Sequence, residues 1–198
     1  MVFVDGQNLY FKCKSLFGHG WIHPGRLAEA LVREDQHRHG QGSHVLSGVR
    51  YYTGIHDLKH RHKHRPMARR LHAYANDGVL IRATPLRYDS NGRGREKGVD
   101  TRLCLDLVRL AQKGLYDVGI IMSEDSDFVP AIEEVYRLRD DERWLAVENA
   151  LPWAPHSKPR WLRLVRRHRR ITKEVFDRVI APGAYTPDPE TDEWHDFS

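Results

Sequence analysis

Acidic side chains follow directly after two apolar runs that are typical of buried strands. Asp5 comes immediately after MVFV, and Asp125 and Asp127 lie in SEDSDF, which follows VGIIM. Asp100 lies on the apolar face of a predicted helix that begins near Val99. Because ligands of doubly wound sheets bind beyond the carboxyl ends of the strands, we expect these carboxylates to meet in one crevice.

Electrostatic repulsion limits what such a cluster can be. Two carboxylates about 5 Å apart repel by roughly 3 kcal/mol at an effective dielectric constant near 20, whereas a domain is stable by only about 5–15 kcal/mol. A cation between them would remove this cost, and hard oxygen ligands suit Mg²⁺ or Mn²⁺. Such ions activate water and stabilise the leaving oxygen in phosphodiester cleavage, so the cluster together with the basic segments that flank it predicts a metal-dependent nuclease.

Each acid also has a purely structural interpretation. Asp5 precedes a glycine and could be a turn residue, and Asp100 could stabilise a helix N-terminus. Asp127 lies shortly before a proline that could start a helix, so N-capping would explain it nearly as well as catalysis. We expect Glu124 to face solvent.

Basic residues are concentrated in two blocks. Residues 50–72 carry seven Lys or Arg, and residues 156–173 carry eight without any acid. This density predicts a polyanionic partner, nucleic acid being the usual one, with a solvated charged face as the alternative. The acidic stretch 186–198 could fold back over a basic groove and limit binding. The candidate RNA-binding residues are Lys59, Arg61, Lys63, Arg65, Arg69, Arg70, Arg93, Arg95, Arg160, Trp161 and Arg163.

Aromatic and histidine side chains suggest further contacts. His60 and His64 could pair on a metal if their segment were helical, but no third ligand is evident nearby. We expect them to belong to an RNA-facing loop instead. The aromatic candidates for stacking on unpaired bases are Tyr51, Tyr52, Trp153 and Trp161, with core packing or anchoring of the C-terminal segment as alternatives.

Short apolar runs alternate with helical patterns, which is typical of βα units around a parallel sheet. The predicted strands are MVFV, HVLSGVRYYTGI, VLIRATPLRY, DVGIIM and RWLAVENAL. We expect an α/β domain over residues 1–150. Residues 151–198 should form a basic C-terminal extension, with one helix and an acidic tail, that packs on the same domain.

Composition excludes several classes of protein. The chain has 198 residues, 40% of them hydrophobic, yet no apolar stretch approaches the roughly 20 residues that a membrane span needs. The start has no basic, signal-like segment, so we expect a cytoplasmic protein without membrane contact. Cys13 and Cys104 are too few for a disulfide framework. The oligomeric state is left open, a homo-oligomer included.

Three segments together resemble the signature blocks of NYN domains, a branch of the PIN-like nucleases. They are VFVDGQNLY, EKGVDTRLCLDLV and GIIMSEDSDFVPAIEEV, and the resemblance covers roughly residues 1–150. It implies a three-layer, PIN-like (Rossmann-like) α/β fold with a mainly parallel five-stranded sheet in the order 3-2-1-4-5. It also implies cleavage of RNA that depends on a divalent metal, Mg²⁺ or Mn²⁺.

The resemblance also assigns roles to individual residues. Asp5, Asp100, Asp125 and Asp127 match the metal-binding, catalytic acids of the family. Asn8 matches the polar residue that accompanies the first acid, and the supporting residues are Asn8, Ser123 and Lys97. Glu124 departs from the pattern, because an uncharged residue is more usual at its position.

Other functions compete with a ribonuclease. An RNA-binding module with weak or no catalysis would keep the basic blocks without turnover. A phosphatase of the aspartyl-phosphate type is weakened by Gln7, which stands where a second acid would be expected. A DNA nuclease is harder to exclude, because phosphate contacts and metal chemistry serve both polymers.

Overall fold

The structure, a computed structural model, describes residues 1–39 and 44–180, the side chains of residues 35–39 excepted. Its elements in chain order are β1 (Val2–Asp5), α1 (Gly6–Phe17), α2 (Pro24–His39), β2 (Val49–Ile55), α3 (Arg61–Asn76), β3 (Val79–Pro85), β4 (Arg87–Tyr88), β5 (Gly94–Arg95), α4 (Val99–Gln112), β6 (Val118–Met122), α5 (Val129–Arg137), β7 (Ala146–Pro152), β8 (Arg167–Ile171) and α6 (Lys173–Val179). Short 3-10 turns at Leu58–His60 and Ser126–Phe128 precede α3 and α5. The acidic stretch 186–198 lies outside the described residues.

Six parallel strands form the main sheet, in the order β3-β2-β1-β6-β7-β8. The first five have the predicted order 3-2-1-4-5, since β6 and β7 are the fourth and fifth predicted strands. The α/β fold class is therefore confirmed, with one strand more than predicted. β4 and β5 form a separate antiparallel hairpin.

Strand alternation divides the core between the two faces of the sheet. In β1, Val2 and Val4 pack with side chains of α1, α2, α3 and α6, whereas Phe3 packs with those of α4 and α5. Helices thus cover both faces, which makes three layers. Strands buried on both faces have continuous apolar sequences, as MVFV and VGIIM do.

The sixth strand, β8, has a sequence that does not resemble a strand. It reads RHRRI, and it is an edge strand with one exposed face. Arg169 points inward, and its Nε donates a 2.5 Å hydrogen bond to Oε2 of the buried Glu148. Because a buried ion pair stands where an apolar residue would be expected, the sequence pattern indicates a basic block here and not a strand.

Helix α3 begins at Arg61, five residues before Pro66. Pro66 lies inside the helix and donates no backbone hydrogen bond there. The buried side chains of Met67, Leu71 and Tyr74 form the apolar face that holds this helix on the sheet. Within the described residues, no helix is both long and apolar enough to span a membrane.

Candidate active site

Asp5 lies at the carboxyl end of β1, beside the point where the strand order reverses. Its carboxylate caps α1, because Oδ1 accepts a 3.1 Å hydrogen bond from the backbone N–H of Asn8. Oδ2 accepts a second bond, of 2.9 Å, from the hydroxyl of Ser123 at the end of β6. Asp5 is 6% exposed and Ser123 is fully buried, so two neighbouring strands fix the orientation of one buried carboxylate.

Close packing requires a glycine directly after Asp5. A Cβ atom on Gly6 would lie 2.5 Å from Cζ of Tyr51, whose ring comes from β2. Tyr51 is buried and belongs to the core rather than to an exposed stacking surface. The Asp-Gly step therefore lets α1 start close against the neighbouring strand while Asp5 faces the crevice.

The segment SEDSDF turns the chain from β6 into α5. Asp125 caps the 3-10 turn at Ser126–Phe128, where Oδ1 accepts a 2.9 Å hydrogen bond from the backbone N–H of Asp127. The capping that the sequence suggested for Asp127 is thus made by Asp125. Asp127 is exposed.

Glu124 is half-buried and has three partners. Its carboxylate pairs with Nζ of Lys12 at 2.8 Å and accepts a 3.3 Å hydrogen bond from the backbone N–H of Arg160. Its own backbone N–H donates a 3.2 Å bond to Oδ1 of Asn8. Glu124 therefore joins α1, the end of β6 and the segment before β8, and the expectation that it faces solvent was wrong.

An additional acid, Glu96, lines the same cleft, and none of the sequence motifs predicts it. It follows the β4–β5 hairpin, and its Oε1 accepts a 2.5 Å hydrogen bond from the backbone N–H of Gly54. A Cβ atom on Gly54 would lie 2.8 Å from Cγ of Glu96, so glycine is needed for this approach. The sequence held one hint: Glu96 lies four residues before Asp100, in the segment that leads into α4.

The pKa values show that these acids share one electrostatic environment. Burial raises the pKa of Asp5 to about 6, the bonds from Asn8 and Ser123 oppose this rise, and Asp100 and Asp125 add to it. Burial also raises the pKa of Glu96 to about 7, and Asp5 and Asp100 contribute.

Asp100 lies in the first turn of α4 and is exposed as a whole residue. Desolvation of its carboxyl group nevertheless raises its pKa, and the charges of Asp125 and Asp127 raise it further. The acids that the sequence predicted to converge therefore influence one another in the folded chain. Like charges held together in this way favour the binding of a cation.

A cleft of about 700 Å³ lies over these side chains. Ser123 lies beneath it and bonds to Asp5, while Lys97 and Asp127 are exposed. Among residues 1–39 and 44–180, no three His, Cys, Asp or Glu side chains are arranged to hold a metal ion in their present conformations. The donors are nonetheless hard oxygens, which fit Mg²⁺ or Mn²⁺ chemically. The acids and amides that line the cleft are Asp5, Gln7, Asn8, Glu96, Asp100, Glu124 and Asp125.

The cations predicted to bind RNA belong to segments that follow strands on either side of the β1–β6 switch point. Arg70 differs from the others, because it is buried with its guanidinium carbon 4.8 Å from the centroid of the Trp21 ring. It packs inside the fold and does not belong with the surface cations. The segment after β2 carries Lys59, Arg61, Lys63, Arg65 and Arg69, the β4–β5 hairpin carries Arg93 and Arg95, and the segment between β7 and β8 carries Arg160 and Arg163.

The predicted histidine loop is folded into internal contacts. Nδ1 of His60 lies 2.7 Å from Oδ1 of Asp57, and the His60 ring stacks on Tyr88 with centroids 4.1 Å apart. Nδ1 of His64 lies 2.5 Å from the backbone oxygen of His56. These contacts engage one ring nitrogen of each histidine.

The three-layer fold, with its strand order and its carboxylates at the β1–β6 switch point, is that of a PIN-like domain. The chain belongs to the NYN domain family, whose family model matches residues 1–143. NYN domains are generally metal-dependent ribonucleases of the PIN-like superfamily.

Among solved structures, the chain is similar to a protein of unknown function from Vibrio parahaemolyticus. The two are 16% identical, with a TM-score of 0.53, and the match covers 86% of this chain and 90% of the other. This similarity supports the fold alone. No match was found among curated proteins.

Proposed function

We propose that this chain is a divalent-metal-dependent ribonuclease that cleaves RNA within the strand. The observation that carries the proposal is the convergence of Asp5, Asp100 and Asp125 on one cleft, where burial raises the pKa values of Asp5 and Asp100 and the neighbouring carboxylates raise them further. Carboxylates that repel one another at the switch point of the sheet are typical of a site that holds a cation, because the cation removes the repulsion.

Asp5, Asp100 and Asp125 would hold Mg²⁺ or Mn²⁺, and Asp127, at the exposed rim, would act through water. Glu96 is a further oxygen donor, because its carboxylate faces the same cleft. The bound ion would supply activation of a water molecule and stabilisation of the charge on the leaving oxygen.

The residues around the acids orient them. Ser123 and the backbone of Asn8 fix the two oxygens of Asp5, and the side chain of Asn8 is itself held by Glu124. Lys12 balances Glu124, which lowers the excess of negative charge at one wall of the cleft. Arg95 lines the cleft and is exposed, so it can contact a phosphate of the substrate.

The distribution of cations supports an endonuclease acting on RNA. Family members act on RNA, and exposed cations follow β2 on α3 and follow β7 around Arg160, on strands that flank β1 and β6 on opposite sides. A strand could therefore continue past the acids in both directions, which cleavage within a strand requires. The cations would supply affinity through phosphate contacts without sequence preference.

Incubation of the full chain with circular single-stranded RNA tests this proposal. Cleavage in Mn²⁺ or Mg²⁺ that stops on addition of EDTA is the expected result, and a circle has no ends for an exonuclease. Binding without any product in either metal would show an RNA-binding module instead. A single-stranded DNA circle in parallel tests the alternative of a DNA nuclease.

A further inference from the structure

The outward face of β8 carries two aromatic pairs side by side. Strand alternation leaves His168 and Arg170 exposed, whereas the residues after each of them are buried. The ring of Trp161 stacks on His168, with centroids 4.8 Å apart and planes 20° from parallel. The guanidinium carbon of Arg170 lies 4.6 Å from the centroid of the Trp153 ring. Two indole rings are thus held in place on one edge of the sheet.

These pairs line a groove of about 620 Å³ beside β8. Arg178 of α6 also lines it, and its pairs with Glu34 and Glu174 are long, at 4.0 and 3.8 Å. Arg178 is exposed. Exposed ion pairs contribute only about 0–1 kcal/mol, so a phosphate can replace these partners at little cost.

The groove is connected to the acidic cleft through the segment between β7 and β8. The backbone N–H of Arg160 bonds to the carboxylate of Glu124, which lines the cleft, and Trp161 is the next residue. β8 lies two strands from β6, which is about 10 Å at the usual strand spacing. A nucleic-acid strand that leaves the cleft beside Glu124 would therefore meet Trp161 within a few nucleotides.

We propose that this groove binds the single-stranded RNA that extends from the cleavage site, with bases stacking on Trp153 and Trp161 and phosphates contacting Arg170 and Arg178. This assignment rests on the proposed ribonuclease function, and it adds a second region of substrate contact. Aromatic platforms combined with cations are what sequence-tolerant binding of single strands requires, because every base has a π face. An acidic peptide would use the cations alone, without a requirement for indole rings.

The chain offers a matched control at the other end of the sheet. Trp144 is 51% exposed, and the guanidinium carbon of Arg166 lies 4.9 Å from its ring centroid. Trp144 precedes β7 and Arg166 precedes β8, so this pair lies at the amino ends of the strands. It has the same chemistry as the groove but lies away from the cleft.

The test is the affinity of the full chain for a labelled oligouridylate of about 20 nucleotides, measured by fluorescence anisotropy in EDTA. Trp153→Leu and Trp161→Leu should each raise Kd by about tenfold, whereas the corresponding Phe variants should bind nearly as the unchanged chain does. Arg170→Ala should reduce the slope of log K against log salt by about 0.7. Trp144→Leu and Arg166→Ala should change neither quantity.

Leu variants that bind as the unchanged chain does, with melting temperatures preserved, would overturn the assignment. So would an equal loss of affinity for inorganic polyphosphate, since polyphosphate has no bases to stack. If the Leu variants fail to fold, the assignment is tested instead by the quenching of tryptophan fluorescence on addition of unlabelled oligouridylate. Quenching that diminishes in Trp161→Phe at unchanged affinity supports base stacking, and quenching that stays the same contradicts it.

Failure of the groove and failure of the proposed function are distinguishable. Binding in EDTA requires no turnover, so groove-dependent binding without cleavage in Mn²⁺ or Mg²⁺ contradicts only the ribonuclease. Cleavage that persists while the groove variants bind normally contradicts only the groove.

Discussion

The hydroxyl of Ser123 donates a 2.9 Å hydrogen bond to Oδ2 of Asp5, and this bond joins the carboxyl ends of β6 and β1. Both residues are buried, so water cannot replace the bond without entering the core. The bond lowers the pKa of Asp5 against the effect of burial. One buried serine therefore helps to keep the first acid of the cleft ionisable near neutral pH.

Ser123→Ala should weaken metal binding and raise the pH at which activity begins. The variant leaves Oδ2 of Asp5 without its protein donor, which typically costs about 1–3 kcal/mol for a buried group. We expect a higher Kd for Mn²⁺ by calorimetry and an acid limb of the pH–rate profile displaced upward. Ser126→Ala, at an exposed position, is the control. An unchanged acid limb for Ser123→Ala would show that the bond does not tune Asp5.

The stability of the chain without metal should fall as the pH rises from about 4 to 6. The folded-state pKa of Asp5 is about 6, above the 3.8 of an unperturbed aspartate, so the folded chain binds more protons than the unfolded chain in this window. Two pKa units correspond to about 3 kcal/mol. Urea unfolding in EDTA at several pH values measures this loss.

Asp5→Asn should reduce that dependence, leaving the part due to Glu96 and Asp100, and should stabilise the metal-free chain at pH 7.5. The amide oxygen can still accept the capping bond from Asn8, so the variant removes the charge and keeps the cap. The same variant should have no metal-dependent cleavage. Stability that falls equally in both proteins between pH 4 and 6 would show that another group is responsible.

Glu96→Gln should lower metal affinity, although the sequence resemblance did not include this residue among the ligands. The amide keeps an oxygen for the N–H of Gly54 but removes a negative charge from the cleft. We expect Kd for Mn²⁺ to rise by about tenfold or more, as for other groups that support a metal site. Glu133→Gln, exposed on α5, is the charge-matched control. Equal affinities of the two variants would place Glu96 outside the metal site.

The cations of α3 should contribute to RNA affinity through salt-dependent contacts. Arg65→Ala with Arg69→Ala removes two exposed charges and should reduce the salt slope for single-stranded RNA by about 1.4. Arg109→Ala, near the far end of α4, is the control. If the slope of log K against log salt is the same for the unchanged chain, the double variant and Arg109→Ala, α3 does not belong to the RNA-binding surface.

The strands and the acids at β1, α4 and β6 could be predicted because their signals are local, whereas the strand order was implied by the family resemblance. Apolar runs buried on both faces identify strands, and the residue after each run must lie at the carboxyl edge. The positions of Asp5 and Asp125 directly after apolar runs were therefore enough to predict them as site residues. β8 could not be recognised as a strand from its sequence, because its inward-facing side chain is Arg169. The charge of Arg169 is neutralised by Glu148, which lies 21 residues earlier in the chain.

The place of Glu96 in the cleft and the burial of Arg70 could not be predicted, for the same physical reason. The burial of Glu96 depends on a hairpin that brings it against Gly54, forty-two residues earlier in the chain. Arg70 looks like its exposed neighbour Arg69, but it points inward to Trp21. Contacts between distant segments decide whether a charged residue is buried, and composition alone does not show them.

The rate at which Asp125→Asn cleaves circular single-stranded RNA in Mn²⁺ tests the central claim most directly. The amide can still cap the turn at Ser126–Phe128, so folding should be preserved, as the melting temperature in EDTA would verify. We predict a loss of more than about 100-fold, because supporting groups of metal sites alone are worth 10–100-fold. Cleavage at the rate of the unchanged chain would contradict the assignment of this carboxylate to the metal.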